Sequence, residues 1–210
     1  CPSKALEIVG RNMTHNEVLG QVLRDRPFYE ASGGGVTISG GEPLLQIDFA
    51  EVLLRNVKAA GVSTAVETAG HVMFERLARV APYTDLFLFD IKETDDVLHQ
   101  KFTGVSGAQI RKNLVMLHDI GASILMRLPI IPGLNDRKAH FREVARFTEP
   151  LTGLVGVEVM PYHSLGLSKR ERLGLNQDDG TESAPPSAEL ILEWIRLLRD
   201  EGVNVVNEAH

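Results

Sequence analysis

Apolar residues recur at helical spacing at Val18, Leu19, Val22 and Leu23, directly after Thr14-His15-Asn16-Glu17, which has the form of a capping box. This predicts a helix over residues 14–31, broken by Gly33-Gly34-Gly35. Val36-Thr37-Ile38 reads as a short strand that ends at Gly40-Gly41, and Phe49, Val52, Leu53 and Val57 give the next helical face up to Gly61. The alternation then repeats. Ser63 to Thr68 is a β-rich run, Phe74 to Val80 a short helix, and Asp85 to Ile91 a nearly continuous apolar strand of the kind buried on both faces. Helical patterns at 94–101 and 109–120 precede a strand from Ser123 to Ile131, stopped by Pro132-Gly133. A helix from Asp136 to about Thr148 and a strand from Leu154 to Met160 follow. Residues 164–186 read as a long polar loop, Ser187 to Glu201 as a helix with Leu190, Ile191, Trp194 and Leu198 on one stripe, and Val203 to Val206 as a last strand.

Strands alternating with helices over short connections predict an α/β fold with a parallel sheet, open or curled into a barrel, whose binding edge lies at the strand C-terminal ends. Polar residues collect at those ends. Glu42 follows the first strand, Glu67 and Thr68 end the second, Asp90 and Lys92 end the third, Arg127 lies late in the fourth and His163 follows the fifth. Each has a plainer account. Asp90 and Lys92, two apart and so on one face, make an ordinary surface ion pair; Glu67-Thr68 is a strand end; an isolated histidine is more often structural or exposed than functional. Arg127 is harder to dismiss, because a charge among Ile124, Leu125, Met126, Leu128 and Ile130 needs a partner or a ligand.

Composition narrows the classes. The chain has 210 residues with 43% hydrophobic and 24% charged, enough for one domain with a core of its own. A net charge of −6 argues against broad nucleic-acid or acidic-membrane binding, and no run is long enough to span a bilayer. The single cysteine, Cys1, excludes an internal disulfide, and a reducing, cytoplasmic setting is the expectation. A first residue other than Met suggests a fragment whose N-terminal part is missing.

The glycine segment Ser32–Leu44 is not a nucleotide fingerprint, since it has neither G-x-x-x-x-G-K-[ST] nor a G-x-G-x-x-G that opens a helix. Gly40-Gly41 lets a backbone approach a ligand closely, Glu42 adds a carboxylate and Pro43 stiffens the exit. The set suits a ligand ammonium better than a phosphate; a pair of tight turns is the plain alternative.

Five segments occur in order: SGGGVTISGGEPLLQ (32–46), ETAGH (67–71), LFLFDIK (86–92), MRLPIIPGLND (126–136) and VMPYH (159–163). Together they resemble the glycyl-radical-enzyme activating enzymes of the radical S-adenosylmethionine (SAM) superfamily, the group that includes the pyruvate formate-lyase activators. The resemblance runs from the first residues to about 163 and weakens beyond. It implies a partial (β/α)6, TIM-like barrel, here without its first strand and cluster loop, and a SAM molecule bound against a [4Fe-4S] cluster. In such enzymes one electron from the cluster cleaves SAM to methionine and a 5′-deoxyadenosyl radical, which takes a hydrogen from a glycine Cα of a partner enzyme.

By the same resemblance, Gly40, Gly41 and Glu42 match the motif at the SAM amino group, and Glu67 and Thr68 an acid-Thr pair beside the methionine end. Glu67 stands where the pyruvate formate-lyase activator has Asp, a departure that bears on a monovalent cation site formed with Asp90. Asp90 and Lys92 match an Asp-x-Lys pair at SAM, and Arg127 and His163 match positions contacting its polar groups. The superfamily's C-x-x-x-C-x-x-C motif is absent. Cys1-Pro2 is similar to the end of a ferredoxin-type run, so residues 1–13 are expected to be the end of a ferredoxin-like insert or linker, residues 14–210 the barrel domain, and Cys1 a possible ligand of an auxiliary cluster in the full-length protein. A glycyl radical enzyme as partner and a flavodoxin or ferredoxin as electron donor complete the expectation, with no nucleic-acid or membrane partner. The fragment alone is expected to be inactive. Two alternatives stand beside this reading: a non-catalytic binding or scaffold module, and a Schiff-base barrel lyase using Lys92.

Overall fold

The computed structural model describes residues 10–163 and 184–207. Cys1 and much of the polar loop anticipated at 164–186 lie outside them. Thr14 opens α1 (His15–Val22) with the anticipated capping box: its side chain accepts from the Glu17 N–H, and Glu17 accepts from the Thr14 N–H. The single helix expected over 14–31 is instead two, because a 3-10 turn at Leu23–Asp25 separates α1 from α2 (Arg26–Ser32). Pro27 gives the reason: a residue with no N–H and a fixed φ suits a new first turn and cannot continue an old one.

Five parallel strands then form one sheet in the order in which they occur along the chain: β1 (Gly35–Ile38), β2 (Ser63–Thr68), β3 (Leu86–Asp90), β4 (Ile124–Ile130) and β5 (Gly156–Pro161). The connecting helices are α3 (Ile47–Ala59), α4 (Phe74–Val80), α5 (Asp96–Thr103), α6 (Ala108–Asp119) and α7 (Lys138–Thr148); α8 (Ala188–Asp200) follows β5. Val203–Val206 does not make the strand its apolar residues suggest. Among the described residues an isolated parallel bridge joins Val205 to Val157, and this stretch turns back on itself, with the Val205 N–H bonded to the Val203 carbonyl.

The two faces of the sheet differ. On the helix-covered face Val66, Phe87, Phe89, Met126 and Leu128 are fully buried. On the other, Leu86, Leu88 and Asp90 of β3 are only half-buried, which corrects the expectation of a strand buried on both sides. Strands of this kind need an apolar lining on both faces only when both are covered by protein.

Gly70, in the turn after β2, shows how tightly the covered side is packed. It has φ +68°, and a Cβ there would lie 2.1 Å from Phe89 Cζ. Its carbonyl, with that of Val72, accepts from the fully buried Asn113 amide. Gly70→Ala is expected to destabilise the fold by about 2–3 kcal/mol in urea denaturation, through overpacking and the left-handed backbone. A change under half of that would show that the Phe89 ring moves aside freely.

Candidate functional site

Strand register places the charged residues. Glu67 is opposite Leu88, Asp90 opposite Arg127, and Arg127 opposite Glu158. Since side chains alternate along a strand and registered neighbours share a face, Glu67, Asp90, Arg127 and Glu158 all stand on the same, half-buried face, the first two at the C-terminal ends of β2 and β3 and the others midway along β4 and β5. Arg127, its side chain 14% exposed, lies 3.2 Å from Glu67 through Nη1 and 3.2 Å from Glu158 through Nε. Its Nη2 faces the thioether of Met160 at 3.4 Å. The partner that an arginine in an apolar strand requires is thus a pair of acids. Glu158 was not among the residues read from the sequence, although a lone acid between Val157 and Val159 marks a position on the half-buried face of an alternating strand.

Lys92 lies just beyond β3, exposed, with Nζ 4.0 Å from Asp90 Oδ2. Asp90 itself is held above the usual carboxylate range: burial raises it most, Lys92 and Arg127 oppose that, and Glu67 and Glu42 add to it. Asp90 thus interacts with groups on or just after four strands, β1 to β4.

The Gly40-Gly41-Glu42 turn closes one side. Gly40 has φ +138°, and among the described residues a Cβ built on Gly40 or Gly41 meets nothing within 4 Å. Glu42 is turned inward. Oε1 accepts from the Leu44 N–H at 3.2 Å, and Oε2 accepts from Thr68 Oγ1 at 2.8 Å and the Ala69 N–H at 3.1 Å. Three of about four acceptor positions of a carboxylate are therefore taken by protein donors. Thr68, next to Glu67 in β2, points to the opposite, covered face and is 2% exposed. It reaches Glu42 and accepts from the Gly70 N–H, so its place is behind the site as a brace. His163 is exposed after β5, and among the described residues no hydrogen bond or ion pair joins it to the others.

Behind Lys92 lies a buried polar network absent from the sequence reading. The Glu93 side chain has no exposed surface; its Oε1 accepts from the Thr94 and Asp95 N–H groups and lies 3.3 Å from Nδ1 of the equally buried His140, and Oε2 pairs with Arg137. Asn135 donates to the carbonyls of Lys92 and Pro129 and accepts from the Ile131 N–H, which ties the loop after β3 to that after β4. A cavity of about 760 Å³, lined by Arg142, Arg146 and Asn204 among others, opens at Gly156, the N-terminal end of β5. It is at the end of the sheet away from these groups.

The Radical SAM superfamily description matches residues 1–147. The chain belongs to the radical SAM superfamily. Within it, the sequence groups with the activating enzymes of glycyl radical enzymes. It is 40% identical over 176 residues to a choline trimethylamine-lyase activating enzyme of Oleidesulfovibrio alaskensis, covering 82% of this chain and 57% of that one. It is 36% identical over 199 residues to a pyruvate formate-lyase-activating enzyme of Staphylococcus epidermidis, covering 91% and 78%. A crystal structure of a domain of pyruvate-formate lyase-activating enzyme from Bacteroides vulgatus superposes with TM-score 0.68 at 27% identity, over 82% of this chain and 98% of that one. The chain thus spans little more than half the length of the first of these relatives, and the five-stranded parallel sheet matches the partial barrel of the superfamily. Among the described residues no helix is long and apolar enough to cross a membrane.

Proposed function

We propose that this radical SAM chain is the SAM-binding barrel portion of an activase that installs a glycyl radical on a partner enzyme. The observation that carries the reading is the cluster of Glu67, Asp90, Lys92 and Arg127, linked through Asp90 to Glu42 of a glycine turn whose backbone no described atom crowds. That donor set fits SAM. A zwitterion with a sulfonium needs acids near its ammonium and bases near its carboxylate, and both lie within one strand-end rim.

Gly40 and Gly41 would border the amino end. Glu42, braced by Thr68 and Ala69, keeps that turn in place and retains one acceptor position for an ammonium. Arg127 and Lys92 would meet the carboxylate, and His163 a further polar group of the ligand. Glu67 and Asp90 balance these cations, and a monovalent cation beside them is part of the proposal. When bound against a [4Fe-4S] cluster, SAM supplies the one-electron cleavage that leads to hydrogen abstraction from glycine. The cluster does not fit this chain by itself, because a single cysteine, Cys1, cannot hold four irons. Its ligands, and any auxiliary ferredoxin-type cluster to which Cys1 contributes, belong to the longer protein. The partner is a glycyl radical enzyme, and the electron comes from a flavodoxin or ferredoxin.

The test is anaerobic reconstitution of the full-length protein with iron and sulfide. Reductive SAM cleavage and a glycyl-radical signal in electron paramagnetic resonance are expected, while residues 1–210 alone are expected to give no radical. A cluster-loaded protein that binds SAM yet never cleaves it would overturn the activity; a radical from the isolated chain would overturn its assignment as an incomplete portion.

A further inference from the structure

We infer that Glu158 is a positioning residue that holds the Arg127 guanidinium so that one of its terminal nitrogens faces the ligand carboxylate; this rests on the SAM site proposed above. Arg127 is drawn from two sides, by Glu67 at Nη1 and by Glu158 at Nε, each at 3.2 Å. Nε is buried and among the described residues has no aligned hydrogen bond, so charge attraction ties it to Glu158. Nη2 has the weakest partner, a thioether sulfur at 3.4 Å from Met160. It is therefore the donor left to an anionic oxygen arriving on the half-buried face.

The opposed pulls fix the tilt of the planar fork. Without Glu158, the pull on the guanidinium comes from the side of Glu67 and Asp90. A carboxylate and an unopposed guanidinium favour two parallel bonds, and the fork would rotate onto Glu67 and withdraw Nη2 from the ligand. Glu158 reaches Arg127 along the sheet, from β5 to β4, and its side chain is one-third exposed.

This account has a sign opposite to plain electrostatics. Removing a negative charge near a carboxylate ligand should tighten binding by Coulomb's law; removing a positioning group should loosen it. The experiment is calorimetric titration of the full-length, cluster-loaded protein with SAM and with decarboxylated SAM. Glu158→Gln, nearly isosteric, is expected to weaken SAM about tenfold, in keeping with one charged hydrogen bond displaced. Affinity for decarboxylated SAM is expected to stay unchanged, and Glu158→Asp, which keeps the charge but shortens the reach, to shift in the same direction as Gln. In an Arg127→Lys background Glu158→Gln is expected to have no further effect, since an ammonium has no fork to tilt. Unchanged or tighter SAM binding by Glu158→Gln overturns the inference, as does equal loss for both ligands. A wild-type protein that loads its cluster and binds no SAM would sink the proposed site and this inference together, whereas wild-type binding with an indifferent Glu158→Gln sinks this inference alone.

Discussion

Replacing Glu93 with Ala is expected to destabilise the chain by about 3–5 kcal/mol, the range found when one member of a buried ion pair is removed. Glu93 is enclosed with His140, both side chains without exposed surface, and Arg137 reaches in from the rim. Its loss leaves the Thr94 and Asp95 N–H groups without their carboxylate and the His140 ring facing an uncharged hole. Burial by itself raises the Glu93 pKa, but hydrogen bonds from His140, from the Asp95 backbone and from Arg137 outweigh it and bring it from 4.5 down to about 2. The sign follows from that direction. Unfolded chains bind the proton near 4.5 and the folded chain near 2, so the stability from this group is complete above pH 4.5 and is lost as pH falls from 4.5 to about 2. Over that window about 3 kcal/mol is at stake, from the conversion of pKa difference to free energy. Urea denaturation of the wild type at a series of pH values should show this acid loss, and Glu93→Gln should flatten it. A Glu93→Ala chain within about 1 kcal/mol of wild type, the scale of an exposed pair, would mean that the network contributes no more than a surface salt bridge.

Arg127→Ala is expected to lower glycyl-radical formation by the full-length protein about 100-fold, the equivalent of one strong charge-assisted contact to the ligand. The loss has two sources. A ligand carboxylate would miss its fork, and Glu67, Asp90 and Glu158 would share the half-buried face with Lys92 as the remaining cation among them. Arg127→Lys should rescue little, because a point charge cannot span Glu67 and Glu158 at once. Spin quantification of the radical under saturating reductant checks both variants while a thermal melt confirms folding. Full rescue by Lys would show that charge alone suffices and that the two-sided hold on the guanidinium is idle.

Much of this was legible in the chain before any coordinates. Thr14 and Glu17 announced the first helix, Gly40-Gly41 and Pro132-Gly133 the strand exits, and each of the five parallel strands was anticipated within about two residues of its bounds, the usual uncertainty at element ends. These signals are local: a cap, a glycine or a helical period acts within a few residues of itself. The misses have two sources, a local proline signal outweighed in the reading by a helical period, and contacts between distant residues. One long helix became two at Pro27, and Val203–Val206 gained a bridge without a ladder.

For the site, residue type and position at strand ends pointed to Glu42, Glu67, Asp90, Lys92 and Arg127, because a parallel sheet brings its C-terminal ends together whatever the details of packing. Facing was another matter. Glu67 and Thr68 are adjacent in sequence yet serve opposite sides of the sheet, one toward Arg127 and the other as a brace for Glu42, 26 residues away. Glu158 gained its place only when the register set it beside Arg127, and Glu93 only when α7 laid His140 against it, across separations of 31 and 47 residues by subtraction of their numbers. The sequence alone determined the order of the elements and which chemistry stands at each strand end, since propensity, capping and period are carried by near neighbours. The tertiary structure decided which of those groups meet, which turn away and which are sealed from water, because register and helix packing are set by contacts between residues far apart in the chain.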